Sequence, residues 1–372
     1  MRIVIAPDKF AGTLSAVEAA EAVASGWRDV HPGADTRTVP LSDGGPGFVE
    51  VLHAAIGGKL LTAEVTGPLG APVRADLLLD GETAYVESAL ACGLHLVPRA
   101  DRDPARTTTR GVGELIARAV RAGARTVVVG MGGSATNDGG AGMLAALGAA
   151  PADRLGGGGG ALAGLGAADL APARAAVEGV RLIAATDVDN PLLGEHGASA
   201  VFGPQKGAGS EQVRALDAAL ADFADATDPD RALRAEPGAG AAGGLGYGLL
   251  ALGGTVESGV ARVLEAVGLD ALAEGADLVV TGEGSFDFQS LRGKLPHGVA
   301  RTAARHGVPC VVTAGAVSAD PAEAAAAGVT AAYSLVESAG STEAAMSRSA
   351  EELRALAASI ARTWPDTGGA KG

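Results

Sequence analysis

Residues 2–8 read Arg-Ile-Val-Ile-Ala-Pro-Asp, an apolar run that ends in a carboxylate. Such a run predicts a strand buried in a parallel sheet that is covered by helices. The stretch Ala16–Val30 follows as an amphipathic helix, with Ser15 in position to cap it. A second strand near Thr36–Leu41 and a helix from Phe48 repeat this order, so the sequence predicts an α/β fold.

The same alternation returns near the end of the chain. Three buried-type strands separated by helices are predicted there, at Asp277–Val280, Pro309–Thr313 and Thr330–Tyr333. We therefore expect the two chain ends to share one parallel sheet, in a domain made of residues 1–60 and 275–372. Residues 61–274 would form an inserted domain, and a cleft between two domains is a natural place for a two-substrate site.

The inserted segment begins with a different pattern. Short strands with turn signals between them are predicted at Leu60–Val65, Val73–Leu79 and Thr83–Ser88. Asp80 and Gly81 form a two-residue turn signal between the last two strands, which predicts antiparallel pairing. The run Gly156–Gly160 has no side chains to pack, and we expect it to be a mobile surface loop.

Composition narrows the functional class. The length of 372 residues indicates about two domains, and the formal net charge of −14 argues against a nucleic-acid partner. Two cysteines, Cys92 and Cys310, are too few for a disulfide framework. We recognise neither a signal peptide nor an apolar stretch that could span a membrane, and we expect a cytoplasmic protein with no membrane partner.

Acidic or glycine-rich motifs follow five of the predicted strands. In open parallel sheets, ligands bind beyond the carboxyl ends of the strands. One aspartate at such a place is usually a helix cap or a turn former, but five such loops together predict a binding site. The loops are Asp8, Asp43-Gly44-Gly45, Gly132–Gly140, Asp187–Asn190 and Gly282-Glu283-Gly284.

The loop Gly130–Ala135 lies between a predicted strand and a helix. Its glycines would let a phosphate approach the backbone N–H groups. The spacing also fits a G-x-G-x-x-A dinucleotide fingerprint, which needs an acidic residue at the end of a strand about 20 residues further on. Asp153 stands near that distance but in a loop, so phosphate binding is favoured over nicotinamide binding.

Two acidic pairs suit metal and phosphate chemistry. Asp187 and Asp189 are hard oxygen ligands of the kind that Mg²⁺ prefers, although Asn190, which precedes a proline, equally favours a simple Asx turn. Glu283 and Asp287 form the second pair, for which a solvated charged loop is the alternative.

Lysine is rare in this chain, at positions 9, 59, 206, 294 and 371. Lys9, Lys206 and Lys294 fall inside the motifs, where a compact ammonium suits a phosphate. Chance placement is the alternative interpretation. Arg292 precedes Lys294 in the same segment.

Taken in order, these motifs resemble those of the bacterial two-domain glycerate kinases, from residue 2 to about residue 335. The most specific segments are Gly132–Gly140 and Asp187–Gly207. The other segments that carry the resemblance are 6–14, 43–45, 242–246 and 282–294.

The resemblance implies a flavodoxin-like domain formed by both chain ends, an inserted mixed α/β domain, and phosphate transfer from ATP to D-glycerate with Mg²⁺. It favours 2-phosphoglycerate as the product over 3-phosphoglycerate, and it leaves the oligomeric state open. Three loops depart from the family pattern, with Lys9 and Ala11 in place of Ser and Lys, Pro46 and Phe48 in place of Glu and Thr, and Ser285 in place of Arg. These changes bear on substrate preference more than on kinase activity.

From these motifs we predict catalytic and metal-binding roles. Asp8 or Asp43 would orient or deprotonate the attacking hydroxyl. Some of Asp187, Asp189 and Glu283 would hold Mg²⁺, which bridges the ATP phosphates.

Binding roles are predicted in the same way. The N–H groups of Gly132, Gly133 and Ser134, with Lys206 or Lys294, would neutralise phosphate charge. Glycerate would contact Lys9 through its carboxylate, and the other predicted substrate contacts are Asn137, Asp138 and Arg292. Two rival functions are a nicotinamide-dependent hydroxy-acid dehydrogenase and a small-molecule sensor that has lost turnover.

Overall fold

The computed structural model describes residues 1–10 and 12–364. Ala11 and Lys371, which were named above, lie outside the described residues. The strands are β1 (Arg2–Pro7), β2 (Asp35–Thr38), β3 (Lys59–Thr66), β4 (Pro72–Asp80), β5 (Thr83–Glu87), β6 (Thr126–Gly130), β7 (Arg181–Ala185), β8 (Thr255–Glu257), β9 (Leu278–Phe286), β10 (Cys310–Val317) and β11 (Ala331–Ser334).

The α-helices lie between and after these strands. They are α1 (Ala16–Val30), α2 (Phe48–Ile56), α3 (Ser88–Cys92), α4 (Arg110–Arg121), α5 (Ala141–Ala146), α6 (Ala152–Leu155), α7 (Ala171–Ala176), α8 (Ala198–Phe202), α9 (Ser210–Thr227), α10 (Ala241–Ala251), α11 (Gly259–Ala266), α12 (Leu269–Ala273), α13 (Leu295–Arg305), α14 (Pro321–Ala326), α15 (Leu335–Ala339), α16 (Thr342–Ser347) and α17 (Ser349–Thr363). Within the part of the chain that the structure describes, none of these helices is both long and apolar enough to cross a membrane.

The chain divides into two compact units. Unit 1 consists of Met1–Asp43, Glu50–Gly57 and the chain from Val260 onward, and unit 2 consists of Gly44–Val49 and Gly58–Gly259. Residues 260–274, which we assigned to the inserted domain, thus cluster with the chain ends. The predicted domain limits themselves stay a prediction.

Unit 1 is built on one parallel sheet, which both ends of the chain supply. Its strand order is β11-β10-β9-β1-β2, and every neighbouring pair is parallel. Numbered one to five along the chain, the strands follow the flavodoxin-like order 2-1-3-4-5. The predicted fold class is therefore confirmed.

Helix α1 covers this sheet and shows why the sequence folds as it does. The Ser15 hydroxyl accepts a hydrogen bond from the Glu18 N–H at 3.2 Å, and the Ser15 N–H donates to the Glu18 carboxylate at 2.9 Å. This capping box satisfies N–H groups that the first turn of a helix leaves without partners. The apolar face of the helix buries Val23 and Trp27 completely.

Unit 2 contains a mixed six-stranded sheet with the order β3-β4-β5-β6-β7-β8. Strands β3 to β5 are antiparallel and strands β5 to β8 are parallel, so the predicted hairpin at Asp80 and Gly81 is present. The parallel strands end in register, because Glu87 pairs with Gly130 and Gly130 pairs with Ala185. Three loops therefore leave one edge of this sheet side by side.

The middle of the glycine run 156–160 packs against other backbone, so our expectation that the run cannot pack was wrong, while Gly157 and Gly160 are exposed at the surface. Gly158 and Gly159 are buried, and the Gly160 N–H donates to the carbonyl of Ala105 at 2.8 Å. A Cβ atom on Gly159 would overlap the carbonyl oxygen of Asn137. The glycines are needed here because backbone packs directly against backbone.

Candidate active site

Three acidic side chains lie near one edge of the unit 1 sheet, two of them after the first two strands of the chain and one within β9. Asp8 leaves β1, and its N–H donates to the carbonyl of Gly282 in β9 at 2.8 Å. The segment after β2 continues along β1 as far as Leu41, whose N–H donates to the carbonyl at the end of β1 at 2.9 Å. The parallel strands thus bring together Asp8, Asp43 and Glu283. The negative charges of Asp43 and Glu283 raise the pKa of Asp8, and the charge of Asp43 also raises the pKa of Glu283.

Asp8 is half-buried, and its carboxylate accepts a hydrogen bond from the N–H of Lys9 at 2.7 Å. Burial raises the pKa of Asp8 from its ordinary 3.8 to about 7, and the negative charge of Asp43 adds to the rise. The positive charge of Lys9 and the hydrogen bond from its N–H oppose the rise, while Glu283 adds a smaller increase. Asp8 can therefore accept a proton near neutral pH, as a general base must. Asp43 is exposed.

Glu283 lies within β9 and is 9% exposed. Burial raises the pKa of its carboxyl group, and the positive charge of Lys294 opposes the rise. Its Oε1 atom has no hydrogen-bond partner among the described residues. A buried carboxylate oxygen in this state offers a ligand position for a cation.

The connection after β9 carries the remaining predicted residues of unit 1. The Asp287 carboxylate caps its own turn by accepting hydrogen bonds from the N–H groups of Gln289 at 2.8 Å and Ser290 at 3.2 Å. The Arg292 guanidinium lies 5.6 Å from the centre of the Phe288 ring. Lys294 is exposed and immediately precedes α13.

Unit 2 contains a cavity of about 370 Å³ beside the loops that follow β6 and β7. Its lining residues are Leu94, Met131, Gly132, Gly133, Ser134, Thr186, Val188, Phe202, Gln205, Lys206 and Ala242. Of the five residues predicted to bind ATP or its phosphates, Gly132, Gly133, Ser134 and Lys206 are among them, and the fifth, Glu283, lies in unit 1. The volume is at the low end of the range for small-molecule sites.

Lys206 is the cation of this cavity and is only 2% exposed. Its ammonium group donates to the Ser134 hydroxyl at 3.0 Å and to the Thr136 carbonyl at 2.6 Å. Burial lowers the pKa of Lys206 to about 8. Both of these partners are neutral and use two of the three N–H bonds of the ammonium, so among residues 1–10 and 12–364 its third donor is available for an anion.

The backbone of the predicted phosphate loop is only partly available. The Gly132 N–H already donates to the carbonyl of Gly44 at 3.1 Å. The N–H groups of Gly133 and Ser134 have no acceptor in the described chain, and both residues line the cavity. A Cβ atom on Gly132 would overlap the Cα atom of Gly45, so this glycine is required by loop packing.

Asn137 and Asp138 are both fully buried. The Asp138 carboxylate accepts hydrogen bonds from the N–H and hydroxyl of Thr109, at 2.8 and 2.9 Å, and from two N–H groups at the start of α5. Burial raises the pKa of Asp138, and these hydrogen bonds oppose the rise. The Asn137 amide donates to the Ser199 hydroxyl at 2.9 Å, and its Oδ1 atom has no partner among the described residues. Asp138 therefore anchors the loop, and its predicted contact with substrate stays untested.

Asp187 and Asp189 are exposed on the loop after β7. The Asp187 carboxylate accepts a hydrogen bond from the Ser258 hydroxyl at 2.6 Å. The Asn190 amide donates to the carbonyl of His196 at 2.9 Å, which orders this loop. Among the described residues, no three side chains of His, Cys, Asp or Glu gather closely enough to hold a metal ion by themselves.

Sequence reasoning missed Glu87, which is 2% exposed at the end of β5. Its carboxylate accepts hydrogen bonds from the N–H groups of Gly47 at 3.1 Å and Val49 at 3.3 Å. It therefore holds the loop that contains Pro46, which packs against Gly133. The sequence signal was its place near the carboxyl end of a predicted strand, but only antiparallel pairing was expected for that strand, whereas β5 pairs in parallel with β6.

Known proteins that resemble this chain do so over almost its whole length, and those compared below are described as glycerate kinases. Residues 3–365 match the glycerate kinase family. The chain is 47% identical to the glycerate kinase of Bacillus subtilis (strain 168) over 370 residues, which cover 97% of each protein. It is 42% identical to the glycerate 2-kinase of Escherichia coli (strain K12), over 98% of each. A crystal structure from Salmonella typhimurium LT2, described as a candidate glycerate kinase 2, matches with a TM-score of 0.83, 41% identity and coverage of 98% of each chain.

Proposed function

The chain belongs to the glycerate kinase family, and from that premise we propose that it transfers the terminal phosphate of ATP to D-glycerate in the presence of Mg²⁺. The proposed product is 2-phosphoglycerate, in keeping with the relative from Escherichia coli that is named a glycerate 2-kinase. Phosphoryl transfer depends mainly on positioning and on charge neutralisation, so the site must supply cations, donors and a base.

The observation that carries this proposal is the buried ammonium of Lys206. Both of its partners, the Ser134 hydroxyl and the Thr136 carbonyl, are neutral. A buried cation without a contacting carboxylate is costly unless an anion completes its surroundings. Phosphate oxygens would do so, together with the N–H groups of Gly133 and Ser134.

Asp8 is the base that we favour over Asp43. A general base works best when its pKa is near the working pH, and burial raises the pKa of Asp8 to about 7. Asp8 would accept the proton of the attacking glycerate hydroxyl. Lys9, next to it in the chain, would bind the substrate carboxylate, with Arg292 as the alternative.

The carboxylates of the chain fit a magnesium ion. Mg²⁺ usually takes one or two protein carboxylates and shares the rest of its shell with water and phosphates, so a three-carboxylate cluster is not needed. Asp187 and Asp189 in unit 2, or Glu283 with its unpartnered buried oxygen in unit 1, would hold it. When bound, the ion would neutralise charge on the phosphates.

The dehydrogenase alternative requires an acidic residue at a position where this chain has none. In a dinucleotide fold the acidic residue ends the strand that follows the glycine loop. Asp153 lies in the short helix α6, and the next strand, β7, ends only at Ala185. Nothing in this geometry favours a nicotinamide cofactor over ATP.

The test is a coupled assay that measures ADP formation from ATP and Mg²⁺ with and without D-glycerate. We expect ADP formation that requires both glycerate and Mg²⁺. Equal rates with and without glycerate would reject the proposal, and the absence of any ADP formation under both conditions would favour a sensor that has lost turnover. Equilibrium binding of NADH in place of ATP would instead favour the dehydrogenase.

A further inference from the structure

The cavity of unit 2 has walls of two chemical kinds. Gly133, Ser134 and Lys206 offer N–H, hydroxyl and ammonium donors. Five other lining residues are apolar, namely Leu94, Met131, Val188, Phe202 and Ala242. A ligand that fills this cavity must therefore combine an anionic group with a sizeable apolar surface.

Glycerate does not meet this requirement, because each of its three carbons bears oxygen. A nucleotide meets it, since phosphates are joined through a ribose to a flat aromatic base. We propose that the apolar part of this cavity is the base pocket for ATP, with the Phe202 ring stacking on adenine and the Gln205 amide recognising its edge. This inference rests on the proposed use of ATP.

Phe202 and Val188 are placed to contact such a base. Phe202 is half-buried and Val188 is 39% exposed, although both line the cavity. Aromatic rings stack on bases whatever their sequence because every base has a flat π face. An accessible aromatic ring beside a donor-rich loop suits a ligand that enters from solvent.

Gln205 supplies the polar contact that stacking lacks. Its amide makes no hydrogen bond with the described part of the chain, and it lies at the exposed side of the cavity. A glutamine amide carries both a donor and an acceptor, which match the amino group and a ring nitrogen of adenine. This pairing uses the N6–N7 edge of adenine, where the bases of inosine and guanine carry two acceptors, O6 and N7, so the same amide could pair with only one of them.

One short segment carries all three contacts. Phe202 ends α8, and Gln205 and Lys206 lie in the 3₁₀ turn Pro204–Lys206 that follows. Pro204 begins this turn and limits its conformations. The segment 202–206 would thus fix the distance between the base and the phosphate cation.

The experiment is calorimetric titration of the full chain with ATP and with inosine triphosphate. Phe202→Ala should weaken ATP binding by about fivefold or more. Val201→Ala is the matched control, because Val201 is 43% exposed in the same helix and does not line the cavity; its affinity should be unchanged. The KM for glycerate should be unchanged in both variants.

A second variant keeps the proposal testable if Phe202→Ala folds poorly. Gln205→Leu, at an exposed position, should reduce the preference for ATP over inosine triphosphate by about fivefold or more. If ATP binds the unaltered chain and neither variant changes its affinity or this preference, the base lies elsewhere and the inference is overturned. If no nucleotide binds the unaltered chain, the proposed function fails as well.

Discussion

At the scale of single residues, Asp8 combines a strand-end position with an altered acidity. Asp8→Asn removes the proton acceptor but keeps an oxygen that can accept the Lys9 N–H. We expect kcat to fall by about 100-fold or more, since general-base catalysis contributes about 10² to 10⁴. In the unaltered enzyme kcat/KM should rise with pH and level off above about 7, because the base acts only when it is deprotonated. Steady-state kinetics across this pH range check both points. If the pH profile of kcat/KM in Asp8→Asn kept the same inflection near pH 7, that inflection would belong to a group other than Asp8.

Lys206 is the second residue on which the account depends. Lys206→Met fills the same buried space without the charge and should weaken ATP binding by about one to two powers of ten, the usual value of a hydrogen bond to a charged group. Lys59, which is exposed in β3, provides the control Lys59→Met, which should bind ATP normally. Calorimetric titration measures both affinities. Equal affinities of the two variants would mean that the clustering of lysines in motifs is accidental.

Single residues also show where sequence reasoning stops. Lys206 was predicted from its type and its motif, because a rare lysine in a glycine-rich segment is unusual. Its burial, and the occupation of the Gly132 N–H by Gly44, depend on contacts between segments distant in sequence. The hydrogen bonds by which Asp138 anchors its loop also depend on distant segments, because Thr109 supplies two of them, and the predicted substrate contact of Asp138 stays a prediction.

At the scale of elements, the loop 44–49 packs directly against the loop that follows β6. Gly132→Ala should lower the free energy of unfolding by about 1–3 kcal/mol, because a methyl group there overlaps Gly45. It should also weaken ATP binding, since the N–H groups of Gly133 and Ser134 would be displaced. Chemical denaturation and titration measure the two effects.

The matched control for this variant is Gly166→Ala. Gly166 is exposed, and an added Cβ atom there meets nothing within 4 Å. Its stability should change by no more than about 0.5 kcal/mol. If Gly132→Ala and Gly166→Ala had the same free energy of unfolding, the close contact between the two loops would not contribute to stability.

Elements were predictable where local signals agree. The helix Ala16–Val30 has the predicted bounds, because Ser15 caps its first turn and a polar, proline-containing segment follows its last residue. The run Gly156–Gly160 was misjudged because composition does not show that another backbone segment will pack against it. Glu87 was missed because β5 is antiparallel to one neighbour and parallel to the other, and only the first was expected.

At the scale of the whole molecule, the acidic edge of the unit 1 sheet should reduce stability as the pH rises. Folded Asp8 keeps its proton to about pH 7, whereas an unfolded chain loses it near 3.8. Stability is therefore lost between those two values as the pH increases, at up to about 1.4 kcal/mol for each pKa unit. Asp8→Asn should be about as stable as the unaltered protein at pH 4 and more stable at pH 8.

Thermal unfolding of both proteins at several pH values measures this difference. The gain in Tm of the variant should grow from pH 4 to about pH 7 and then stay level. A gain that is the same at every pH would show that the acidity of Asp8 does not change on folding.

The parallel sheet of unit 1 and the antiparallel start of the unit 2 sheet followed from the sequence, because buried apolar runs and turn signals are local. Strand β8, which is only three residues long, was not predicted. Helices α11 and α12 carry no signal that says which sheet they accompany, and we assigned residues 260–274 to the inserted domain although they cluster with the chain ends.

We propose that this chain makes phosphoglycerate from glycerate and ATP. The most direct measurement is proton-coupled phosphorus NMR of a reaction that contains only the purified chain, ATP, Mg²⁺ and D-glycerate. We predict a new phosphate ester signal split into a doublet by one neighbouring proton, as in 2-phosphoglycerate, with ADP formed in equal amount. A triplet would place the phosphate on the 3-hydroxyl and correct the product, and the absence of any ester signal while ATP persists would contradict the account.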